Sequence, residues 1–180
     1  MARTWLSIEV ELISGRGDVF WPRPGRTFAA ARTHTFWDLA TAINVYFARW
    51  DLSHLSQFNF EDGTRISHIE PWMDPPEGTV EIREQKLSRL GLSEQFVFEF
   101  DFGDGWTHLC TVGDQRIDPV EAVGEVPTAP VPYWGWGSFP DQYGRRWAED
   151  TGEGDIPPDP RGSDLPPLHP EWRWLWEVPR

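Results

Sequence analysis

The chain has 180 residues and a net charge of −13, from 29 acidic and 16 basic residues, with Lys86 its single lysine. A surface this acidic repels phosphate backbones and anionic membranes, which argues against nucleic acid as a partner. One cysteine, Cys110, excludes an internal disulfide and a cysteine-rich zinc site. No apolar run approaches the ~20 residues of a membrane span, and Glu9 and Glu11 interrupt any signal-peptide pattern. The expected location is cytoplasmic.

Residues 5–13 read as a strand, with Leu6, Ile8, Val10 and Leu12 on one face and Ser7, Glu9 and Glu11 on the other. Residues 15–18 (Gly-Arg-Gly-Asp) form a turn. Pro22 and Pro24 exclude the next segment from a central strand, and an edge or second strand starts near Arg26. Residues 35–49 are the best helix: Thr35 and Asp38 have the shape of a capping box, and Phe36, Leu39, Ala40, Ile43 and Phe47 define a core face. Residues 55–60 and 64–66 flank Glu61-Asp62-Gly63 as a hairpin. A Pro-rich acidic loop, 68–78, leads to a shorter predicted helix over 81–90 that stops at Gly91.

The strongest local signal is residues 94–112. Phe96, Phe98, Phe100 and Phe102 alternate with Val97, Glu99 and Asp101, and a second β-like run opens at Trp106. Placing the turn at Asp104-Gly105 sets Phe102 opposite Thr107, Asp101 opposite His108, Phe100 opposite Leu109 and Phe98 opposite Thr111. Beyond it, residues 119–123 read as one helical turn and 141–147 as a short helix. The segment between them is rich in Pro, Gly and aromatics and is expected to pack on the domain. Residues 149–170 are acidic and Pro-rich with little to form a core. In the closing motif Trp172, Trp174 and Trp176 sit at strand spacing, which leaves open an edge strand, a partner-binding motif or a segment disordered in isolation.

Two blocks carry a family resemblance. Phe98-Glu99-Phe100-Asp101-Phe102-Gly103-Asp104-Gly105-Trp106-Thr107-His108 resembles the signature of the plasmid pRiA4b ORF-3-like family, some members of which are labelled insertion-element passenger proteins of the TnpR type. Trp50-Asp51-Leu52-Ser53-His54-Leu55-Ser56-Gln57-Phe58 resembles its second block, in which Arg49 stands where a Gly is usual. The resemblance spans about residues 5–115. It implies a compact α+β fold and no known reaction.

Fold class and organisation follow. The expectation is one α+β domain over 1–148: a mixed, mostly antiparallel sheet of hairpins packed on one main helix and a shorter one. An acidic, Pro-rich extension, expected to be flexible and ending in the Trp-rich motif, occupies 149–180. His54, Asp101, Asp104 and His108 are the residue types that bind Zn, Mn or Fe, so a divalent transition metal is the candidate cofactor. The same residues also serve as hairpin formers, a cross-strand pair (Asp101 and His108, which are also the candidate catalytic pair) and a strand-start cap. Cys110 beside His108 is a poor nucleophile on a strand interior. Trp134, Trp136, Phe139 and Tyr143, with Arg145 and Arg146, form a candidate surface for a protein segment or partner protein; their alternative role is to cover the sheet. The leading reading is a non-catalytic binding or accessory domain. The other is a metal-dependent hydrolase using the His/Asp cluster.

Overall fold

The computed structural model describes residues 3–144. The expected extension, and with it Arg145, Arg146 and the closing tryptophans, lies outside them.

Among the described residues nine strands build one sheet: β1 (Leu6–Gly15), β2 (Asp18–Val19), β3 (Gly25–Ala30), β4 (Ser56–Phe60), β5 (Arg65–Ser67), β6 (Thr79–Glu81), β7 (Gln95–Phe100), β8 (Trp106–Val112) and β9 (Val131–Trp136). Their order is β6-β5-β4-β7-β8-β1-β3-β9, with β2 paired to the end of β1. Pairing is antiparallel except between β5 and β6. Helix α1 (Phe36–Tyr46) packs on one face, and the short α2 (Pro119–Val123) follows β8. The fold is α+β, as the alternation of apolar residues predicts.

That alternation explains the core. Leu6, Ile8, Val10 and Leu12 of β1, Phe58 and Phe60 of β4, Phe96, Phe98 and Phe100 of β7, and Trp106 and Cys110 of β8 all point to the α1 side and are buried. Apart from His108, which shares the buried face of β8, residues between them face the other way and are half-buried. From α1, Phe36, Leu39, Ala40 and Ile43 complete this core.

The two ends of α1 are built by different devices. At its start the predicted capping box is present: Asp38 N–H donates to Thr35 Oγ1 at 3.1 Å, and Thr35 N–H donates to Asp38 Oδ2 at 2.8 Å. At its end Ala48 adopts φ 64°, with Arg49 N–H donating to the carbonyl of Asn44 and Ala48 N–H to that of Val45. This is a Schellman termination built without glycine. It stops the helix at Tyr46, short of the expected Arg49, and swings Arg49 inward to 2% exposure.

Residues 81–90 do not form the predicted helix. β6 ends at Glu81, and only a 3-10 turn, Leu87–Arg89, follows. The carbonyls of Ile82 and Gln85 instead accept the N–H groups of Trp37 (3.1 Å) and Phe36 (2.9 Å). These are donors in the first turn of α1, which has no partners of its own for them. Ile82 N–H and Leu87 N–H likewise donate outside the segment, to the carbonyls of Ser67 and His34, so only local turns remain within it and its helical spacing is overridden.

The aromatic segment after α2 holds a strand that periodicity does not announce. β9 pairs with β3 through Gly25↔Trp136 and Thr27↔Trp134. Its Trp136 ring lies against Gly25, where an added Cβ would come within 2.3 Å of it. The indole N–H of Trp136 donates to the carbonyl of Arg23 at 2.7 Å.

Candidate functional site

The hairpin register decides what the site contains. β7 pairs with β8 as Phe100↔Trp106, Phe98↔His108 and Phe96↔Cys110, so the expected pairing of Asp101 with His108 is corrected. Directly paired residues share a face, and the buried set Phe96, Phe98, Phe100 can match only the buried set Cys110, His108, Trp106. Residues 101–105 therefore form a five-residue loop rather than a two-residue turn. Asp101 adopts φ 55°, its carbonyl accepts Gly105 N–H at 2.6 Å, and its Oδ1 accepts Gly103 N–H at 3.2 Å.

His108 is fully buried. Its ring lies 5.0 Å from Phe47 and 5.3 Å from Phe98, centre to centre. Nδ1 is 3.2 Å from the carbonyl of Phe98, which can only accept, so Nδ1 carries the proton. Burial, and then the Arg49 guanidinium, push its pKa down to about 3. It is a neutral core histidine.

His54 sits elsewhere, in the loop before β4. Its Nε2 is 2.8 Å from Tyr143 Oη, and its Nδ1 is 3.5 Å from Asp101 Oδ2. Tyr143 Oη donates to Asp51 Oδ2 at 2.7 Å, and Asp51 also accepts from the hydroxyl of Ser53 at 2.6 Å. The Ser53 and Tyr143 hydrogen bonds hold the Asp51 carboxyl down to about 2. Burial, then Asp51, push the Tyr143 hydroxyl above its ordinary range. Asp104 faces Arg16 at 3.7 Å.

The chain thus brings His54 beside Asp101 and sends His108 into the core. Among the described residues no group of three or more His, Cys, Asp or Glu is arranged to hold a metal ion. The donor chemistry agrees: Asp101 Oδ1 is occupied by backbone N–H groups and His54 Nε2 by Tyr143. The four-residue ligand set does not fit a metal here.

Residues that the sequence reading passed over hold this end together. Gln142 is fully buried. Its Oε1 accepts Trp50 N–H (2.9 Å) and Asp51 N–H (2.8 Å), and its Nε2 donates to the carbonyl of Asp51. Trp50 Nε1 donates to Asp141 Oδ1 at 3.0 Å. Residues 140–143 are thereby strapped across the exit of α1. Gln142 carries no sequence signal for this role, since any polar residue after Pro140 reads the same. Asp51 does: Asp-x-Ser is a local side-chain turn. Replacing Tyr143 by Phe removes the hydroxyl from both Asp51 and His54. We expect a loss of about 1 kcal/mol in urea unfolding and an upward move of the Asp51 carboxyl in an NMR titration; an unmoved Asp51 would show that the hydroxyl does not hold it.

Of the other expected surface residues, Trp136 is packed as described, and Phe139 packs at a tilt against Phe47 (4.1 Å between centres) with the Arg26 guanidinium 4.5 Å from its ring. Trp134 is exposed on β9. Larger apolar exposure flanks the polar network instead: Trp50 at 44%, Leu52 at 45% and Phe102 at 47%. Cys110 is fully buried, and burial pushes its thiol above the ordinary range. A thiol reagent should therefore label it only as fast as the chain unfolds; rapid stoichiometric labelling of folded protein would contradict this.

The family model described as plasmid pRiA4b ORF-3-like protein matches residues 6–129. No curated protein matches the chain. A solved structure of a protein of unknown function from Methanosarcina mazei Go1 is similar, with 20% identity and a TM-score of 0.49; the match covers 71% of this chain and 61% of that one. No helix among the described residues is long and apolar enough to cross a membrane.

Proposed function

The chain belongs to the plasmid pRiA4b ORF-3-like protein family, whose description names no reaction, and from that premise we propose that it acts as a non-catalytic binding domain. The occupant is a protein segment that carries basic and large apolar side chains, docked at the end of the sheet where α1 exits. One observation carries this reading: Trp50, Leu52 and Phe102 are each more than 40% exposed, around a network whose histidine and carboxylates satisfy one another. Tryptophan and other large side chains supply most binding energy at interfaces. The hydrogen bonds among these polar groups fix the shape of the surface. Tyr143 belongs to this surface through its place between Asp51 and His54.

The choice of occupant rests on charge. Asp51, Asp104 and Asp141 lie at this end, and the chain carries a net −13. Such a field favours Arg and Lys on the partner and speeds their association, more at low salt than at high.

The test is selection from a random peptide library displayed on phage. Enriched peptides should combine Arg or Lys with Trp, Phe or Leu. Their binding should weaken about tenfold or more in the Trp50→Ala/Phe102→Ala double variant, and it should be unchanged in Trp72→Ala, whose tryptophan is 80% exposed on the loop between β5 and β6. Absence of enrichment, or equal loss in Trp72→Ala, would overturn the proposal.

A further inference from the structure

Arg49 reaches the interior because the left-handed Ala48 turns the chain inward at the end of α1. Its guanidinium carbon is 3.6 Å from the centre of the Trp106 ring. Nη2 donates to the carbonyl of Pro140 at 3.3 Å, whereas Nε and Nη1 are buried and have no hydrogen-bond partner. The indole Nε1 of Trp106 is likewise buried and unpartnered. Ring and guanidinium are in contact, so these N–H groups lie within a few ångströms of one another.

The charge balance is as uneven as the hydrogen bonding. Among the described residues no carboxylate comes within ion-pair distance of Arg49; Asp104 and Asp141 act on it only from farther away. Burial lowers its pKa to about 9, so the group is still cationic at neutral pH. A buried guanidinium is normally paired, because an unpaired buried charge is costly. Arginine and tryptophan side chains donate and cannot accept. His108 Nε2 is also buried without a partner and is an acceptor, but the ring is neutral and leaves the guanidinium charge unbalanced. What complements that charge is a small group that only accepts and is negative.

The geometry points to Arg49 and Trp106 as a binding site for a small oxyanion, a carboxylate or a phosphate, held beneath residues 140–143. That strap borders the site through the Pro140 carbonyl on Arg49 and is fastened chiefly by hydrogen bonds of Gln142, Asp141 and Tyr143. The site differs from the peptide surface proposed above: its side chains, Arg49 and Trp106, are buried, and it uses none of Trp50, Leu52 or Phe102, although the strap itself is fastened to Trp50 and carries Tyr143.

The experiment is thermal unfolding of the full chain in sodium phosphate or sodium acetate, with ionic strength held constant by sodium chloride. One of the two anions should raise the Tm saturably, by about 5–10 °C at a hundredfold excess over its Kd, and the anion that does so identifies the source. Arg49→Met, which removes the charge at similar volume, should fold and lose the response. In the folded wild type, 1H–15N spectra should show the Trp106 indole N–H, assigned through Trp106→Phe, moving with the same Kd. This readout stands even if Arg49→Met fails to fold. Absence of a Tm response beyond chloride for both anions, an equal response in Arg49→Met, or an unmoved Trp106 indole would each overturn the site.

Discussion

Replacing Phe36 by Ala should destabilise the protein by about 3–5 kcal/mol, the range for truncating a buried aromatic. Phe36 is fully buried at the first position of α1, and its ring meets Phe58 at 5.0 Å, Phe60 at 5.8 Å and Phe96 at 6.2 Å, edge to face. It therefore joins the helix to β4 and β7 at one point. The backbone there is also fixed, since the carbonyls of Gln85 and Ile82 accept the N–H groups of Phe36 and Trp37. The surrounding chain cannot collapse easily into the space left behind, which places the cost toward the upper part of the range. Against a total stability of ~5–15 kcal/mol, this is a large fraction. The measurement is the urea midpoint at constant m-value, with Leu52→Ala, at an exposed position, as the control expected within about 0.5 kcal/mol of wild type. A loss below about 1 kcal/mol for Phe36→Ala would show that α1 does not pack on the sheet through this ring.

Acid should unfold the protein through its buried histidines. In the unfolded chain His108 takes a proton near pH 6.5; in the fold it is held neutral down to about pH 3. Between these values the unfolded state binds more protons, so stability falls as the pH falls, by up to ~1.4 kcal/mol per pH unit. His68 and His34 are also pushed down, chiefly by burial, and add to the loss with the same sign. Asp51 acts lower on the scale: its carboxyl is held at about 2, so its contribution is present above the ordinary carboxylate pKa and disappears only as the pH falls through about 2. Urea midpoints between pH 7.5 and pH 4 should decline for wild type, and the slope should be reduced in His108→Leu. Comparing the two isolates His108 from the changing repulsion among the chain's many carboxylates. Parallel curves for the two proteins would mean that the ring takes its proton without unfolding.

Much of the fold was legible along the chain because it depends on local chemistry. The capping box at Thr35 and Asp38 needs only residues three apart. The alternation in β1, β4 and β7 needs only one buried face. The Asp62-Gly63 turn formed the expected hairpin, with Phe58 opposite Ile66. The readings that failed required knowledge of distant partners. The helix expected over 81–90 lost its carbonyls to α1, and the Asp104-Gly105 turn gave way to a longer loop once the buried faces of β7 and β8 had to coincide. The predicted cluster divided for the same reason: the register that buries Phe98 also carries His108 inward, while Asp101, past the end of β7, meets His54.

By itself the sequence determined the α+β class, the core faces of β1 and β7, the start of α1 and the family, because periodicity, capping and motif spacing are written in neighbouring residues. The tertiary structure alone decided the hairpin register, the strand β9, the strap of residues 140–143 and the burial of Arg49 against Trp106. Each of those joins residues far apart in the chain, and the choice among their possible partners is made by which arrangement buries the apolar faces while leaving backbone donors paired.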